Sequence, residues 1–494
     1  MRTSPTLLSA AFRLVFWAAA LLALPASAAD KPHIVYLMAD DLGWHDLGYL
    51  GKEIRTPSID RIADGAVRLN QFYVQPHSSQ TRAALLTGRY PFRYGLQTLS
   101  ILPQSNYGLP AEERTLAQAL KDAGYRTALV GKWQLGHAKP EMLPTRRGFD
   151  SFYGTLAGGI DHFTKQGPRG HDWRRNDKPL KEAGYVTTLV GKEAASVIAG
   201  HDPGKPLFLF VSFTAPAAPM QAPKEYLDRN ATIRDEARRT YAGMVSALDD
   251  AVGAVLAALD KKGMADNTIL VFHSDNGGAV VHKFPTGDGD VERGAADNSP
   301  YRDGKGSLYE GGVRVPALIK WPKGAEAGVT NGLIHVTDMY PTLLSLAGAS
   351  LDQRKLLDGV NQWPTIKDHK LSPRKDIPLA IEDLRAGIRV GDWKLIVTAV
   401  LPARIELFDI PHDPDEEDNA ADRNPQLVQD MLKKINDYAW EMVPSRHLEE
   451  LQRARPTDLP MVWGANPVRH GVSADADSRK DPSLTVERAD RKPQ

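Results

Sequence analysis

The stretch His33-Ile-Val-Tyr-Leu-Met-Ala-Asp-Asp41 decides the fold class of this chain. Residues 33–38 form an apolar run without polar alternation, which is typical of a strand that is buried on both faces of a sheet. The run leads directly into Asp40 and Asp41. Because ligands of an open parallel sheet gather at the carboxyl ends of its strands, this stretch predicts a parallel sheet with a polar site at its edge.

The same alternation of strands and helices continues for most of the chain. Residues 127–130, 207–213 and 268–272 are apolar and strand-like. Helical spacing of apolar residues occupies 115–123 and 244–259, and a glycine follows each of these two stretches. This order predicts an α/β fold with a large mixed, mostly parallel sheet between helices.

The C-terminal part follows a different pattern. Residues 389–396 and 405–408 are predicted to be short paired strands with a turn between them, and residues 426–438 have the spacing of an amphipathic helix. We therefore expect a small antiparallel sheet with one helix. From about Arg453 the chain is rich in Pro, Asp and Arg and lacks periodicity, which predicts a surface-hugging or disordered tail.

The first residues are typical of an export signal. Arg2 and Arg13 precede an apolar run over 14–24, and the small residues Ala26-Ser-Ala28 follow as a cleavage site. The run is too short to span a bilayer comfortably, and no later segment is expected to span one. These features predict a periplasmic or secreted protein.

The predicted organisation is a signal peptide over 1–28, a catalytic-type domain over 29–363, a C-terminal subdomain over 364–452 and a tail over 453–494.

Composition excludes several classes of protein. The chain has 494 residues, with 61 Lys and Arg against 61 Asp and Glu, so no overall positive charge favours a nucleic-acid partner. Its hydrophobic share of 42% excludes a mostly disordered chain. The absence of cysteine excludes thiolate metal sites, disulfides and a cysteine nucleophile. Any covalent chemistry must therefore use oxygen or nitrogen.

Two acidic strand ends are candidates for a metal site. Asp40 and Asp41 follow the first strand, and Asp275 and Asn276 follow a later one. Three converging carboxylates would repel one another unless a hard cation neutralised them, and oxygen-only ligands favour Ca²⁺ or Mg²⁺ over zinc. The alternative is that each pair is a turn or a helix cap, since Asp and Asn favour both.

A hydroxyl-rich segment precedes a helical run that is expected to start near Arg82. The segment reads Gln75-Pro-His-Ser-Ser-Gln-Thr-Arg82. Ser78 would then lie where the free N–H groups and the dipole of a helix favour a bound anion. Arg82, one turn further on, could hold a nucleophile or an oxyanion. The alternative interpretation is a well-capped helix without chemistry.

A set of longer motifs indicates a family. They are Met38-Ala-Asp-Asp-Leu-Gly-Trp44, Thr81-Arg-Ala-Ala-Leu-Leu-Thr-Gly-Arg89, Ala123-Gly-Tyr-Arg-Thr-Ala-Leu-Val-Gly-Lys-Trp133, Pro144-Thr-Arg-Arg-Gly-Phe149, Ser274-Asp-Asn-Gly-Gly278, Ser307-Leu-Tyr-Glu-Gly-Gly-Val-Arg314 and Gly391-Asp-Trp-Lys-Leu395. On these motifs the sequence resembles the sulfatases of the alkaline phosphatase superfamily, especially the N-acetylgalactosamine 4-sulfatase (arylsulfatase B) branch. The matches keep their order over nearly the whole mature chain, so the resemblance implies an alkaline phosphatase-like fold.

The resemblance also implies roles for the candidate residues. In the family the Asp-Asp and Asp-Asn pairs bind one Ca²⁺, which favours calcium over Mg²⁺ at the two strand ends. Arg82, Lys132 and Lys305 match the cations that hold the nucleophile and the sulfate. The family nucleophile is usually the cysteine of Cys-x-Pro-x-Arg, which a maturase oxidises to formylglycine (3-oxoalanine). That position is Ser78 here, as in a serine-type branch of the family.

Three departures from the family pattern affect catalysis. Gln80 stands where the serine-type branch has Pro or Ala. Gln134 replaces a histidine that assists the aldehyde hydrate, and Ala217 replaces a histidine that contacts the sulfate and can protonate the leaving group. Neither Gln134 nor Ala217 can act as an acid at neutral pH. His77, which adjoins Ser78, and His162 are the candidates that could substitute.

The sequence leaves three hypotheses for function. The first is a sulfoester hydrolase that acts on a sulfated sugar or an aryl sulfate, with Ca²⁺, Lys132, Lys305, Gln134 and His162 around the substrate. The second is a phosphoester hydrolase that uses Ser78 unmodified, since a phosphoserine can be hydrolysed by metal-activated water. The third is a degenerate homologue that binds anionic glycans without turnover.

Overall fold

A computed structural model describes residues 31–282 and 292–453 of the chain. The predicted signal peptide and the tail after Arg453 lie outside the described residues. Among the described residues, those up to Leu448 form one compact unit, and those from Glu449 belong to a second. The boundary at residue 363 between two domains stays a prediction.

The largest sheet in the described part of the chain has ten strands. In chain order they are β1 (His33–Ala39), β2 (Val67–Leu69), β3 (Arg126–Lys132), β4 (Ser151–Thr155), β5 (Arg174–Arg175), β6 (Lys178–Pro179), β7 (Leu207–Ser212), β8 (Thr268–Ser274), β9 (Ala317–Lys320) and β10 (Gly328–Thr330). Their order across the sheet is β10-β2-β9-β8-β1-β7-β3-β4-β5-β6. The five central strands, β8 to β4 in this order, are all parallel, whereas β9 and β5 pair with them antiparallel. The predicted mixed, mostly parallel sheet is confirmed.

Helices cover both faces of this sheet. The described helices are α1 (Pro57–Asp64), α2 (Ser78–Thr87), α3 (Leu116–Asp122), α4 (Val186–Ala199), α5 (Lys224–Arg229), α6 (Glu236–Lys262), α7 (Glu310–Val313), α8 (Met339–Leu346), α9 (Trp363–Asp368), α10 (Pro425–Ala439) and α11 (Arg446–Arg453). Ile34 and Tyr36 of β1 lie in the core beneath α2, α3 and α8. Val35 and Leu37 lie in the opposite core, beneath α1, α4 and α6. Because alternate residues of β1 enter different cores, an apolar residue is needed at every position of the strand.

Helix α6 differs from the expectation that no segment after the signal could span a membrane. By length and hydropathy alone this 27-residue helix passes that test. However, 72% of its most apolar stretch is buried within the protein, where it packs against α4 and α1. A buried core helix has the same composition, so α6 is weak support for a membrane span.

The C-terminal sheet is antiparallel and has four strands. They are β11 (Asp376–Ile381), β12 (Arg385–Val390), β13 (Trp393–Thr398) and β14 (Arg404–Asp409), paired in chain order, with α10 packed on them. The expected single strand over 389–396 is wrong, because a turn at Gly391 and Asp392 divides it between β12 and β13. Gly391 has a positive φ of 55°, a conformation that glycine adopts without strain.

A buried group of three charges joins α7 to the C-terminal sheet. Lys394 of β13 has no exposed surface, and its Nζ lies 3.1 Å from a Glu310 oxygen and 2.8 Å from a Glu416 oxygen. The backbone N–H of Glu310 also donates to Glu416, at 2.6 Å. Two buried carboxylates thus share one buried ammonium, and although Glu310 also pairs with Arg314, this sharing makes the removal of Lys394 costly.

Candidate active site

The two acidic segments meet at the carboxyl ends of β1 and β8. These strands are parallel neighbours with Ala39 opposite Ser274, so the residues that follow them are brought side by side. Side-chain oxygens of Asp40, Asp41 and Asp275 lie within 4.8 Å of one another, and all three residues are buried. Asn276 is buried with them, and its Nδ2 donates to Asp41 Oδ1 at 2.8 Å. The structure therefore brings the predicted set of four together.

Ser78 is the first residue of α2, so the helix begins four residues before the expected start near Arg82. Polar residues are tolerated in a first helical turn because their backbone N–H groups have no partner within the helix. The Ser79 hydroxyl fixes this turn to the neighbouring loops, since it donates to Gln134 O and accepts from Ile101 N–H, both at 2.9 Å. The result is a serine held at a helix N-terminus, as the sequence predicts.

The Ser78 hydroxyl faces the acidic strand ends. Its Oγ lies 3.3 Å from Asp40 Oδ1 and 3.2 Å from Asn276 Oδ1, and the residue is 1% exposed. The single hydroxyl proton can be donated to only one of these oxygens at a time. Both acceptors belong to the candidate metal-binding set, so Ser78 and that set form one site.

Three basic side chains contact the three carboxylates. Lys132 Nζ lies 2.5 Å from Asp40 Oδ2, and Lys305 Nζ lies 2.7 Å from Asp41 Oδ2. Arg82, which is fully buried, donates to Asp275 Oδ2 at 2.9 Å. The expectation that the carboxylates would repel one another without a cation is therefore incomplete, because these ion pairs already balance three negative charges with three positive ones.

The electrostatics of the carboxylates are nevertheless unequal. Burial raises the pKa of Asp40, but the charges of Lys132 and Arg82 outweigh burial and hold it well below its ordinary value. Burial also raises the pKa of Asp275, and the neighbouring Asp40 charge raises it further, above its ordinary value. Asp275 is thus less easily ionised than Asp40.

The donor set fits a hard divalent cation. Asp40, Asp41 and Asp275 offer carboxylate oxygens, Asn276 offers an amide oxygen, and no sulfur or imidazole donor is among them. Ca²⁺ takes six to eight oxygen ligands and Mg²⁺ takes six, so both accept such a set. This cluster could therefore bind a metal ion.

Two small features that the sequence analysis missed hold the basic side chains. The Ser212 hydroxyl, at the end of β7, accepts from Arg82 and donates to Lys132 O at 2.7 Å. Gly158 lies against the stem of Lys132, and an added Cβ would lie 2.3 Å from its Cε. Ser212 could have been suggested from the sequence, because it ends an apolar strand at the same end of the sheet as Asp40 and Asp275. No sequence pattern would have indicated the role of Gly158.

The two histidines considered as substitutes are both neutral at pH 7. Burial lowers the pKa of His162 to about 4, and its Nε2 lies 3.3 Å from Ala217 O. Burial, with the charges of Arg385 and Lys305, lowers the pKa of His77 to about 3. A neutral imidazole is a very weak acid, so a lowered pKa makes either ring a poor proton donor to a leaving group. The structure places His162 beside Ala217, where the family histidine would be.

The replaced positions carry buried polar atoms without partners. Within the described residues, Gln80 Oε1 and Gln134 Oε1 are buried and accept no hydrogen bond. Gln134 also has a positive φ of 51°, which is uncommon for a residue with a side chain. Unsatisfied buried oxygens cost free energy, so neither oxygen contributes a stabilising hydrogen bond among the described residues.

The C-terminal sheet reaches the site through one residue that the sequence analysis missed. Arg385, the first residue of β12, donates to Gly306 O at 2.5 Å and pairs with Glu382 at 2.8 Å. Gly306 follows Lys305 directly, and an added Cβ on it would lie 3.1 Å from the ring of His77. The sheet thus fixes the loop that carries Lys305.

Two family descriptions match this chain. Residues 32–349 match the family described as Sulfatase. Residues 302–441 match the family described as N-sulphoglucosamine sulphohydrolase, C-terminal. The first match contains all the strands of the large sheet and every candidate site residue, and the second contains the C-terminal sheet.

Individual relatives agree with these matches. Arylsulfatase J of Mus musculus is 34% identical over 491 residues, which cover 88% of this chain and 80% of that protein. N-acetylgalactosamine-6-sulfatase of Homo sapiens is 34% identical over 369 residues, which cover 70% and 68%. The crystal structure of Ps i-CgsB in complex with k-i-k-neocarrahexaose has a TM-score of 0.76 and 35% identity, and covers 84% of this chain and 94% of that chain. The PsFucS1 sulfatase from Pseudoalteromonas sp. has a TM-score of 0.69 and 27% identity, with 83% and 90% covered.

Proposed function

The chain belongs to the sulfatase family of sulfuric ester hydrolases, and from that premise we propose that it removes sulfate from a sulfated glycan with Ca²⁺ and a nucleophile derived from Ser78. The observation that carries the proposal is the position of the Ser78 hydroxyl. It lies at a helix N-terminus, within hydrogen-bond distance of Asp40 and Asn276. An anion that reaches this hydroxyl also meets the basic side chains that contact the same carboxylates.

Each basic residue has a distinct part in the proposal. Lys132 and Lys305 have flexible ammonium groups that can turn from Asp40 and Asp41 towards sulfate oxygens. Arg82 is fully buried and fixed by Asp275 and Ser212, so it orients Ser78 rather than following the substrate. Ca²⁺ held by the four oxygen-bearing residues at the strand ends would polarise the sulfate oxygens.

Conversion of Ser78 to formylglycine is part of the proposal. A sulfate ester formed on serine has no easy route to release its sulfate. When the nucleophile is the hydrate of an aldehyde, its second hydroxyl can lose a proton and expel the sulfate as the aldehyde re-forms. A maturase would have to accept Gln80, in the first turn of α2, where the serine-type family pattern has Pro or Ala.

The predicted signal peptide supports a location in the periplasm or outside the cell.

A glycan is favoured as the substrate over a small aryl sulfate. Ps i-CgsB, the similar structure with a TM-score of 0.76, is bound to an oligosaccharide. Relatives include enzymes named for a sulfated amino sugar, N-acetylgalactosamine-6-sulfatase. The specific sugar and the 4-sulfatase preference implied by the arylsulfatase B resemblance stay predictions.

The alternative of a non-catalytic glycan-binding homologue has one observation in its favour. Both histidine positions of the family are replaced, and the pKa values of the nearby His77 and His162 are lowered to about 3 and about 4. A site in this state keeps its cations for sulfate but lacks a side chain that can protonate the leaving oxygen. Binding would then survive while turnover is lost.

The deciding experiment is the chemical state of Ser78 together with turnover. Protein purified from its native host is digested, and the Ser78 peptide is expected to show the loss of two hydrogens that marks formylglycine. The same protein should hydrolyse 4-nitrophenyl sulfate, and Ser78→Ala should abolish this activity. Unmodified serine with turnover of 4-nitrophenyl phosphate would instead establish the phosphoester hydrolase.

A matched variant separates a failed maturation from an inactive site. Ser78→Cys with Gln80→Pro restores the Cys-x-Pro-x-Arg pattern that cysteine-type maturases use. The proline is tolerated because Gln80 lies in the first helical turn, where no intrahelical acceptor awaits its N–H. If this variant acquires formylglycine yet binds a sulfated glycan without any turnover, the hydrolase proposal is wrong and the binding homologue is correct.

A further inference from the structure

A groove of about 160 Å³ lies beyond the ends of β3 and β4 and has no part in the proposed chemistry. One wall is Leu156 and Ala157, which continue from β4. The opposite wall is a short hairpin in which residues 166–167 pair with 170–171. His137, which follows β3, lies at one side.

The groove adjoins the active site through shared backbone. Trp133 N–H donates to Thr155 O and Gln134 N–H donates to Leu156 O, so the segments after β3 and β4 run side by side from Lys132 onwards. Ala157, in the groove wall, precedes Gly158, which packs on the Lys132 stem. His137 is five residues from Lys132, so the two residues are at most about 18 Å apart along an extended backbone. A ligand longer than one sugar can therefore occupy the active site and the groove together.

The charge of the groove is positive. Arg169 and Arg174 line it, and neither forms an ion pair with an acidic side chain in the described parts of the chain. Among the described residues, Arg174 donates to the backbone oxygen of Asp177, at 3.1 Å. Asp172 is the acidic lining residue, and its carboxylate already accepts from Thr155 Oγ1 and from the N–H of Ala157, both at 2.7 Å. Two guanidinium groups thus remain available to an anion.

His137 forms one side of the groove. Its Nε2 donates to Pro103 O at 3.0 Å and its Nδ1 is a buried atom, so the ring shapes the wall and offers no contact to a ligand. The other lining residues include small ones, such as Ala157 and Gly170, and larger apolar ones, such as Ile160. The preference of the groove for an anion therefore rests on its two arginines.

We propose that this groove binds a second anionic group of the glycan, carried by a sugar that neighbours the one whose sulfate lies at Ser78. The inference rests on the proposed function and narrows it: the substrate is a multiply sulfated or uronate-containing oligosaccharide rather than a monosulfated aryl ester. Arg169 and Arg174 bind the second anion, and the carboxylate of Asp172 holds the Leu156–Ala157 wall in place.

The test measures binding apart from turnover. Soluble Ser78→Ala protein is titrated with ι-carrageenan, chondroitin sulfate and heparin oligosaccharides at physiological salt. We expect at least one of them to bind, and Arg169→Gln with Arg174→Gln to weaken the tightest about tenfold through the loss of two partly exposed charge contacts. The matched control is Arg126→Gln with Lys205→Gln, which removes two exposed charges at the amino-terminal ends of β3 and β7, away from the groove.

Turnover of 4-nitrophenyl sulfate distinguishes the two proposals. This small substrate does not reach the groove, so the Arg169 and Arg174 variant with intact Ser78 should retain its rate. Failure of all three oligosaccharides to bind, or equal weakening by the control, overturns the groove assignment even if 4-nitrophenyl sulfate is hydrolysed. Groove-dependent binding without hydrolysis would instead leave the groove assignment standing and reject the hydrolase. Because Arg169 is exposed in a hairpin turn, Arg169→Gln alone is a check that does not disturb folding.

Discussion

Removal of calcium is expected to lower the thermal midpoint of this protein by a measurable and calculable amount. A ligand present at one hundred times its Kd stabilises the folded state by about 2.7 kcal/mol. Unfolding entropy is about 2.1 cal/mol/K per residue, which for about 410 described residues gives about 0.9 kcal/mol/K. Chelation with EDTA should therefore lower the midpoint by about 3 °C, and added Ca²⁺ should restore it.

A single variant locates the ion. Asp41→Asn keeps the size of a buried side chain but removes one of the three carboxylates of the cluster. Its own midpoint will change because Lys305 loses a partner, so the quantity compared is the difference between calcium and EDTA within each protein. That difference should vanish in Asp41→Asn and persist in Asp228→Asn, which alters an exposed residue of α5 paired with Lys224.

The assay is differential scanning fluorimetry with elemental analysis of the purified protein. One calcium per chain should be found in the unaltered protein and none in Asp41→Asn. Equal midpoints with and without EDTA, in protein that contains no metal, would refute the reasoning. An undiminished calcium response in Asp41→Asn would place the ion elsewhere, and an equal response to Mg²⁺ would contradict the preference for calcium.

Two further predictions concern catalysis and stability. Gln134→His with Ala217→His should raise the rate of sulfate release only in protein that carries formylglycine, because acid assistance is useful only once the nucleophile exists; a rate that falls would show a pocket adapted to glutamine and alanine. Lys394→Met should destabilise the fold by about 3–5 kcal/mol in urea denaturation, because Glu310 and Glu416 lose their shared ammonium. Adding Glu416→Gln should recover part of that loss; no recovery would show that packing rather than charge holds this junction.

The central sheet could be predicted from the sequence because its cause is local. Residues of β1 alternate between two cores, so every position is apolar and the run is visible without any partner strand. The meeting of Asp40 and Asp41 with Asp275 follows from the same fact, since the ends of parallel neighbours share one edge. The wrong strand over 389–396 has a local cause too: Gly391 permits a turn that the flanking apolar residues conceal.

Side-chain pairing could not be predicted, because it depends on contacts between distant parts of the chain. The sequence argument treated the three carboxylates as unpaired, whereas Lys132 and Lys305 approach them from β3 and from a loop that Arg385 fixes. Likewise His162 could be named as a substitute acid, but burial lowers its pKa despite the hydrogen bond to Ala217 O, which acts in the opposite direction. The spacing of residues in the sequence shows neither the ion pairs of the carboxylates nor the burial of His162.

In the proposed site, the arrangement of charges separates the binding of sulfate from its release. In the proposed site Arg82, Lys132, the three carboxylates and Ser78 at the helix N-terminus are buried together, and Lys305 lies partly exposed beside them. The groups that move a proton are the ones replaced or neutralised, at Gln134, Ala217 and His162. A deficit of this kind lowers kcat while leaving the affinity for sulfated ligands intact. Slow turnover with tight binding would therefore reflect missing acid catalysis at an otherwise complete anion site.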